Sequence, residues 1–282
     1  MSGQLAGRQT AIVVFDIDGV IRDVGGSYRR ALADTVAEFT RGGYRPTAAD
    51  IDKLKGEGIW NNDWEAAQEL IYRYFEGQGQ IRFSTRGSEL TTLKLDYGQI
   101  VAYFQTKYRG TDPVNWNGYI CDEPLLATPE YFASLTVANT PWGFFSGATR
   151  GSASYVLERR LGLVEPILIA MEDAPGKPDP QGLLLTVEKL GTVHDGIDTL
   201  PIVYVGDTVA DMYTILKART TAPDRDFVAV GVLPPHVHND LKIATEYTES
   251  LRLAGANIVI KNVQELNPDR IAQLLNSIVD RS

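Results

Sequence analysis

The chain has 282 residues, 44% of them hydrophobic, which is enough to bury the core of one large domain and a smaller second one. A formal net charge of −9 and a pI near 4.9 argue against a nucleic-acid or anionic-membrane surface, because either partner requires a basic face. A single cysteine, Cys121, excludes an internal disulfide. Since no segment resembles a signal peptide or a membrane span, we expect a cytoplasmic protein.

The first predicted element is a strand at the start of the chain. Ala11 to Phe15 form an unbroken apolar run, which predicts a strand buried on both faces of a parallel sheet. Asp16 and Asp18 follow where this strand leaves the sheet, and open α/β folds bind ligands at such positions. Two carboxylates followed by Gly19 indicate either a phosphate or metal site or an Asx-type turn that closes the strand.

Residues 24–110 are predicted to be mostly helical. Apolar residues at helical spacing predict helices over about 28–39, 48–55, 63–76 and 97–108. Ser27 is a plausible N-cap for the first helix. Residues 77–95 carry several glycines among polar residues, and we interpret them as a loop with at most one short extended piece. Residues 111–127 are interpreted as a linker.

From Pro129 onward, strands and helices alternate. The pattern predicts strands over about 142–145, 167–170, 201–205, 228–232 and 257–260, and helices over 129–137, 152–161, 183–190 and 263–279. Repeated strand–helix units imply right-handed crossovers and therefore an α/β fold with a doubly wound parallel sheet. Ser146 and Asp207 each follow a predicted strand, as Asp16 does, so we expect these residues along one edge of the sheet.

Four short segments follow one another in a fixed order: FDIDG (15–19), FFSGATR (144–150), GKPDP (176–180) and VYVGDTVADM (203–212). On these segments the chain resembles the haloacid dehalogenase-like (HAD) superfamily, whose motifs are DxD, a Ser or Thr that ends a strand, a Lys, and an acidic GD…D. The resemblance spans nearly the whole chain. It implies a HAD-like core formed by 1–23 and 111–282, with a helical cap of the C1 type inserted at 24–110.

The resemblance also implies roles for the first two motifs. Asp16 is expected to be the nucleophile that forms an aspartyl-phosphate. Asp18 is expected to be the general acid and base, with its backbone carbonyl on a Mg²⁺ ion. Ser146 and the backbone N–H of Gly147 are expected to donate hydrogen bonds to the phosphate oxygens of the substrate.

Charge balance indicates that a cation and a metal accompany these carboxylates. A carboxylate that attacks a phosphate dianion is repelled by several kcal/mol at about 4 Å. Lys177 supplies a fixed ammonium that can neutralise Asp16 and the transferred phosphoryl group. Asp16, Asp18 and Asp207 supply the hard oxygen ligands that Mg²⁺ prefers. Asp211, one helical turn after Asp207, is also placed at the metal, where we expect it to orient the metal shell or Lys177 rather than to bind directly.

Each of these residues has a structural alternative. Ser146 could cap the helix that follows it, and Lys177 could be a surface lysine. Asp207 and Asp211 could be an N-cap and a solvated acid in the first turn of a helix. Arg150, just past the second motif, either contacts the substrate phosphate or is a surface arginine.

Asp18 distinguishes among the reactions of the superfamily. Dehalogenases lack an acid at this position, and phosphonatases depart there and use a lysine in the cap, so Asp18 favours phosphate-ester hydrolysis or phosphomutase chemistry. His194, His236 and His238 lie outside the motifs, which argues against a histidine-based mechanism. His236 and His238 are interpreted as part of a polar loop rather than as a metal site.

Substrate specificity is expected to come from the cap, because the core treats every phosphoryl group alike. The segment KGEGIWNNDW (55–64) joins two predicted cap helices and is rich in amides and indoles. One or more of its side chains is expected to contact the leaving group: Lys55, Trp60, Asn61, Asn62 or Trp64. The alternative is that the tryptophans pack inside the cap and the asparagines cap the next helix.

The sequence as a whole predicts a Mg²⁺-dependent phosphatase, similar to the phosphoglycolate phosphatase and β-phosphoglucomutase branch of the superfamily. Its expected partner is a small phosphorylated metabolite of the sugar- or glycolate-phosphate type, with no nucleic acid or membrane, and it is expected to be a monomer or homodimer. A phosphomutase would use the same core. A non-catalytic HAD fold that acts as a binding module is a third possibility, although no motif residue is missing.

Overall fold

The computed structural model describes residues 11–55, 57, 60, 62–79, 81–83, 89–91 and 95–279. The chain divides into two compact units. Unit 1 combines the chain up to Asp23 with the chain from Pro124 onward, and unit 2 is Val24–Glu123. Unit 2 extends beyond residue 110, where the sequence placed the boundary, because the segment after its last helix returns to its first: the Tyr119 hydroxyl donates to Asp34 at 2.6 Å.

Strands and helices occur in both units. The strands in chain order are β1 (Ile12–Phe15), β2 (Ile81–Phe83), β3 (Glu89–Thr91), β4 (Trp142–Phe145), β5 (Leu168–Ile169), β6 (Ile202–Gly206), β7 (Phe227–Val232) and β8 (Ile258–Ile260). The helices are α1 (Tyr28–Phe39), α2 (Ala48–Lys55), α3 (Asp63–Gly77), α4 (Tyr97–Tyr108), α5 (Pro129–Val137), α6 (Arg150–Ser154), α7 (Gln181–Gly191), α8 (Val209–Thr221), α9 (Leu241–Leu253) and α10 (Pro268–Val279).

Unit 1 is built on a six-stranded parallel sheet with the order β5-β4-β1-β6-β7-β8, which confirms the predicted fold class. β1 lies between β4 and β6, with Phe15 in register with Phe144 and Val205. Every residue of β1 and β6 is buried, which explains their uniformly apolar sequences. Because the strands are parallel, β1, β4 and β6 all end at the same edge of the sheet, where the motif residues follow.

The core beside β1 is aromatic. The Phe15 ring lies edge-on to Phe132 of α5, with centroids 5.8 Å apart, and its centroid is 6.0 Å from that of Phe144. Full burial of a side chain of this size contributes roughly 2 to 3 kcal/mol to the free energy of unfolding. These contacts fix the end of β1, and with it the position of Asp16.

Unit 2 contains the four predicted helices and a hairpin. Ile100, Phe104 and Tyr108 of α4 are buried within it. β2 and β3 pair antiparallel inside the 77–95 segment, so the described part of this segment contains two extended pieces rather than at most one. Ser27 occupies the N-cap position of α1, as predicted, but its hydroxyl donates to Glu123 and to the Val24 carbonyl instead of accepting a hydrogen bond from the helix.

Three further elements of unit 1 differ from the predictions. α6 begins at Arg150 and continues as a π-helix over Tyr155–Arg160. The predicted helix 263–279 is divided into a 3-10 turn, Val263–Glu265, and α10, because Pro268 lacks the N–H that a helix interior requires and favours a helix start. α9, between β7 and β8, was not predicted. In the part of the chain that the structure describes, no helix is long and apolar enough to cross a bilayer.

Candidate active site

Asp16 lies at the end of the central strand, with a side chain that is only 8% exposed. Its Oδ1 accepts the Ile17 N–H at 2.7 Å and lies 2.8 Å from Nζ of Lys177. Burial, followed by the negative charges of Asp211 and Asp18, raises the pKa of Asp16 to about 7 against the opposing effect of Lys177. A further cation beside Asp16 would therefore favour its ionised, nucleophilic form.

Lys177 lies in the loop before α7, and its ammonium is shared between two carboxylates. Nζ lies 2.8 Å from Asp16 Oδ1 and 2.7 Å from Asp211 Oδ1, with the Phe145 and Tyr204 ring centroids at 5.3 and 5.6 Å. Burial alone would lower the pKa of Lys177, but Asp16 and Asp211 outweigh it and raise that pKa. The side chain is 10% exposed, so the surface-lysine alternative is wrong.

Asp211 is fully buried, and both of its carboxylate oxygens are occupied. Oδ1 contacts Lys177 at 2.7 Å and accepts the Tyr204 hydroxyl at 2.9 Å. Oδ2 accepts the backbone N–H of Thr208 at 2.9 Å and its hydroxyl at 2.6 Å. Although burial opposes it, the pKa of Asp211 is lowered by Lys177 and by these Thr208 hydrogen bonds. A carboxylate accepts about four hydrogen bonds, so Asp211 is saturated by Lys177, Tyr204 and Thr208.

Asp207 follows β6 and is not saturated. Its Oδ1 is buried with no hydrogen-bond partner among the described residues. One carboxylate oxygen from each of Asp16, Asp207 and Asp211 lies within 4.8 Å of the other two. Burial, then the negative charges of Asp211 and Asp16, raises the pKa of Asp207 well above its ordinary value. A buried carboxylate oxygen without a partner is costly, and a hard divalent cation such as Mg²⁺ would satisfy it, so the residues present fit this metal.

The helix that follows Asp207 is not capped by Asp207, which was one alternative for that residue. Thr208 is the N-cap of α8, and Asp211 completes a reciprocal capping box with it. The alternative that Asp211 is a solvated first-turn acid is contradicted by its burial. Gly19 has φ +74°, and a Cβ added there would lie 2.0 Å from Asp207 Oδ2, so the close approach of these two segments requires glycine.

Asp18 is held by Arg22, an arginine that lies outside the four motifs. Nε and Nη2 of Arg22 both lie 2.7 Å from Asp18 Oδ1. Arg22 is fully buried, whereas the Asp18 side chain is 29% exposed. The only sequence signal was a charged residue beside the apolar pair Val20 and Ile21, four positions after Asp18.

Ser146 follows β4 and is buried. Because Phe144 is in register with Phe15, Ser146 lies close to the level of Asp16 along the sheet. Its hydroxyl accepts the Ala148 N–H at 3.1 Å, whereas the N-cap residue of α6 is Thr149, so Ser146 does not occupy the helix-cap position. Gly147 is exposed, and a Cβ added to it would meet no atom within 4 Å, which leaves open space beside its backbone.

The motif residues at the ends of β1 and β6 thus form one buried, charged cluster with Lys177, and a comparison with known families shows what kind of protein this is. A model described as haloacid dehalogenase-like hydrolase matches residues 10–219, which contain all four motifs. The chain belongs to this family. This membership confirms the resemblance drawn from the motifs and makes the chain a hydrolase.

Solved structures share the fold of this HAD-like hydrolase at low identity. A phosphonoacetaldehyde hydrolase-like protein from Oleispira antarctica has a TM-score of 0.63 and 16% identity, covering 97% of this chain and 95% of that one. Phosphatase Tt82 from Thermococcus thioreducens has a TM-score of 0.57 and 23% identity, with coverages of 78% and 92%. A putative beta-phosphoglucomutase from Thermotoga maritima has a TM-score of 0.57 and 18% identity, covering 95% of this chain and 100% of that one.

A relative in sequence is an imidazoleglycerol-phosphate dehydratase from Phytophthora nicotianae. It is 30% identical over 256 residues, which cover 88% of this chain but 49% of that protein. The HAD-like hydrolase therefore spans about half the length of this relative.

Arg150 of the HAD-like hydrolase is engaged by acidic neighbours. Its guanidinium forms an ion pair with Asp173, and its backbone N–H donates to Glu172 at 2.9 Å. The side chain is 46% exposed. This arrangement favours the surface-arginine alternative, and a contact with the substrate phosphate stays a prediction.

The predicted leaving-group contacts that the structure describes have partners within unit 2. Lys55 Nζ lies 2.7 Å from Asp63 Oδ1. Asn62 is the N-cap of α3, and its side chain accepts the Trp64 N–H at 2.9 Å. Asn62 thus plays the structural role considered as an alternative, while its contact with a substrate stays a prediction.

The two tryptophans of this segment differ. Trp60 donates its indole N–H to Glu57 at 2.9 Å, and the Trp64 ring lies edge-on to Phe104 with centroids 6.5 Å apart. Trp64 therefore packs inside unit 2, as the alternative proposed. Asn61 lies outside the described residues.

Two tyrosines that were not among the predicted site residues support the site. The Tyr204 hydroxyl donates to Asp211, and the Tyr247 hydroxyl of α9 donates to the Asp207 carbonyl at 2.9 Å. The His236 ring lies edge-on to Tyr247, and His238 Nε2 lies 2.8 Å from the Leu233 carbonyl oxygen, so these contacts are structural. In the sequence, the only signal for Tyr204 was a tyrosine within an otherwise apolar predicted strand.

Proposed function

We propose that this chain is a Mg²⁺-dependent phosphatase that hydrolyses a small organic phosphate monoester through an aspartyl-phosphate at Asp16. The observation that carries the proposal is the 2.8 Å ion pair between Asp16 and the buried Lys177 ammonium. This pair places a carboxylate nucleophile beside a fixed positive charge, which offsets the repulsion between that carboxylate and a phosphate dianion. Saturation of Asp211 keeps the ammonium in place.

In the first half of the reaction, a carboxylate oxygen of Asp16 attacks phosphorus. The bond from phosphorus to the leaving oxygen breaks, its electron pair goes to that oxygen, and Asp18 supplies the proton that neutralises it. The Ser146 hydroxyl and the Gly147 N–H would donate to the phosphoryl oxygens. Lys177 stabilises the negative charge on Asp16 before attack and on the phosphoryl group during transfer.

In the second half, a water molecule attacks the phosphorus of the aspartyl-phosphate. Asp18 takes a proton from this water, the bond between phosphorus and the Asp16 oxygen breaks, and inorganic phosphate leaves with Asp16 as a carboxylate. A bound Mg²⁺ supplies charge neutralisation at the phosphate oxygens. Asp16, Asp207 and the backbone carbonyl of Asp18 would hold it, while Asp211 orients Lys177.

Asp18 and the name of one relative support the proposed substrate class. An acid at this position suits an alkoxide leaving group, as in sugar phosphates or phosphoglycolate. The name of the Phytophthora relative refers to a phosphate ester, imidazoleglycerol phosphate, so this compound is one of the substrates to test. The single cysteine supports a reducing compartment such as the cytoplasm.

The test is release of inorganic phosphate from p-nitrophenyl phosphate and a panel of small phosphate monoesters, with and without Mg²⁺. Asp16→Asn is compared with the unsubstituted protein and with Asp224→Asn, an exposed carboxylate in the loop before β7. We expect metal-dependent release that disappears only in Asp16→Asn. Release by Asp16→Asn, or none from any ester by the unsubstituted protein, would contradict the proposal.

The phosphomutase alternative is separated in the same assay. A mutase would require a bisphosphate activator and would release little inorganic phosphate while converting one sugar phosphate into another. A non-catalytic binding module would do neither.

A further inference from the structure

Arg22 is a fully buried charged residue beside the proposed acid and base. It lies in a short ribbon within unit 1, in which the Leu126 N–H donates to Ile21 at 2.8 Å and the Asp23 N–H donates to Pro124 at 2.9 Å. The backbone of Arg22 is thereby fixed on both sides. Burying a guanidinium is costly unless a carboxylate accepts its hydrogen bonds, so the contact between Arg22 and Asp18 bears on how Asp18 is held.

The contacts between Arg22 and Asp18 converge on a single carboxylate oxygen. Both Nε and Nη2 of Arg22 lie 2.7 Å from Asp18 Oδ1. Within the described part of the chain, no hydrogen bond reaches Oδ2 of the same carboxylate, and the side chain is partly exposed. A guanidinium that contacts one oxygen through two nitrogen atoms restricts rotation of the carboxylate and leaves the other oxygen accessible.

We propose that Arg22 is a positioning residue that orients Asp18 so that Oδ2 transfers the proton. This inference rests on the proposed phosphatase function. The Oδ2–H group gives its proton to the leaving oxygen as the bond from that oxygen to phosphorus breaks, and Oδ2 later takes a proton from the attacking water. Arg22 neither gains nor loses a proton, and it acts only through Asp18.

The experiment uses Arg22→Met, which removes the charge and the donors but keeps a long side chain, and Arg22→Lys, which keeps the charge. The control is Arg225→Met, because Arg225 donates to the Ile197 and Leu200 carbonyls of a loop without contacting a motif residue. Each variant is assayed for kcat/KM with an alkyl phosphate and with p-nitrophenyl phosphate. This parameter reports the first half of the reaction, in which only the alkyl leaving group needs a proton.

We expect Arg22→Met to lower kcat/KM about 10- to 100-fold for the alkyl ester and less than about threefold for the aryl ester. Arg22→Lys should change the ratio of the two values in the same direction by a smaller factor. In an Asp18→Asn background, Arg22→Met should change kcat/KM by less than about twofold, because the group it orients is gone. Arg225→Met should lower the unfolding midpoint without changing the ratio.

An equal loss for both esters, or a loss that multiplies with that of Asp18→Asn, would show that Arg22 only supports the ribbon. If Arg22→Met does not fold, an unchanged ester ratio in Arg22→Lys overturns the inference in the same way. Failure of the unsubstituted protein to hydrolyse either ester would overturn the proposed function and this inference together. Normal hydrolysis with an unchanged ratio overturns this inference alone.

Discussion

Lys177 forms a buried ion pair with Asp16, with Nζ and Oδ1 2.8 Å apart. The same ammonium lies 2.7 Å from Asp211 Oδ1, so one cation separates two carboxylates that would otherwise repel each other. These contacts join β1, the loop before α7 and the first turn of α8. The Lys177 ammonium thus links three motifs and supplies the positive charge that a phosphate dianion would meet.

Lys177→Met should lower kcat/KM about 100- to 1,000-fold, since a preorganised positive group is removed from the site of charge transfer. It should also lower the free energy of unfolding by about 3 kcal/mol, because two buried carboxylates lose their partner. Lys189→Met, at an exposed position of α7, is the control and should change neither. Steady-state kinetics and denaturant unfolding measure both effects, and unchanged kinetics in Lys177→Met would contradict the role given to this residue.

Gly19→Ala should weaken Mg²⁺ binding, because the new Cβ would lie 2.0 Å from Asp207 Oδ2 and displace that carboxylate. Gly42→Ala is a matched control, since Gly42 has a similar φ of +78° but open space around it. Both substitutions should cost about 1 kcal/mol of stability through the left-handed backbone. Calorimetric titration with Mg²⁺ should show weaker binding in Gly19→Ala alone. Equal affinities in both variants would count against Asp207 as a ligand.

Thr208→Ala should reduce both stability and activity. The hydroxyl caps α8 and holds Asp211 Oδ2 at 2.6 Å, and loss of a cap costs about 1 kcal/mol. Thr128→Ala removes the equivalent cap of α5, where the side chain accepts the Tyr131 N–H. Both variants should unfold at lower denaturant, and only Thr208→Ala should lose kcat/KM. A similar loss in Thr128→Ala would show that activity follows stability rather than the position of Asp211.

The metal-free protein should lose stability as pH rises, and Asp207→Asn should lose less. Burial and the neighbouring charges raise the pKa of Asp207 above its ordinary value of 3.8, so the folded protein binds this proton more tightly than the unfolded chain does. The stabilisation is therefore present at low pH and lost as pH rises; the raised pKa of Asp16, about 7, acts in the same direction.

Thermal unfolding in a chelator, at about pH 5 and about pH 8, measures this effect. From the lower to the higher pH, the unsubstituted protein should lose more stability than Asp207→Asn. Addition of Mg²⁺ should restore the stability of the unsubstituted protein, because the metal replaces the proton. An identical pH dependence in the two proteins, or no recovery with Mg²⁺, would contradict the metal site.

Substitutions of Asn62 test whether the segment before α3 contacts the substrate. Asn62→Ala should cost about 1 kcal/mol through loss of the cap, whereas Asn62→Asp keeps an acceptor for the Trp64 N–H and should keep the stability. If Asn62 also contacts the leaving group, both variants should change the relative kcat/KM across a panel of phosphate esters. If it only caps α3, neither variant should change that ranking.

The sequence predicted the parts of this protein that depend on local patterns. β1 and β6 are apolar runs buried on both faces, and such runs have one plausible structure when turn residues bound them. Parallel strands end at one edge, so the position of Asp207 beside Asp16 followed from the fold class. The division of the last predicted helix at Pro268 was also available from the sequence, because proline marks a helix start.

Other features depend on contacts between distant segments and left no periodic signal. The position of Arg22 after the apolar pair Val20 and Ile21 does not by itself indicate that its guanidinium is buried against Asp18, since that burial depends on the ribbon formed with 124–126. Tyr247 reaches the Asp207 carbonyl from α9, a helix that the pattern did not reveal. The extension of unit 2 to Glu123 likewise depends on Tyr119 meeting Asp34.

In the proposed mechanism, Asp16 carries the phosphoryl group between the two halves of the reaction. The direct measurement is to quench the enzyme with acid during turnover of its best phosphate ester, reduce the acyl phosphate with borohydride, and map the modified peptide by mass spectrometry. We expect Asp16 to be converted to homoserine only when both ester and Mg²⁺ are present, and we expect no conversion in Asp16→Asn. Active turnover without modification of Asp16, or modification of another carboxylate, would contradict it.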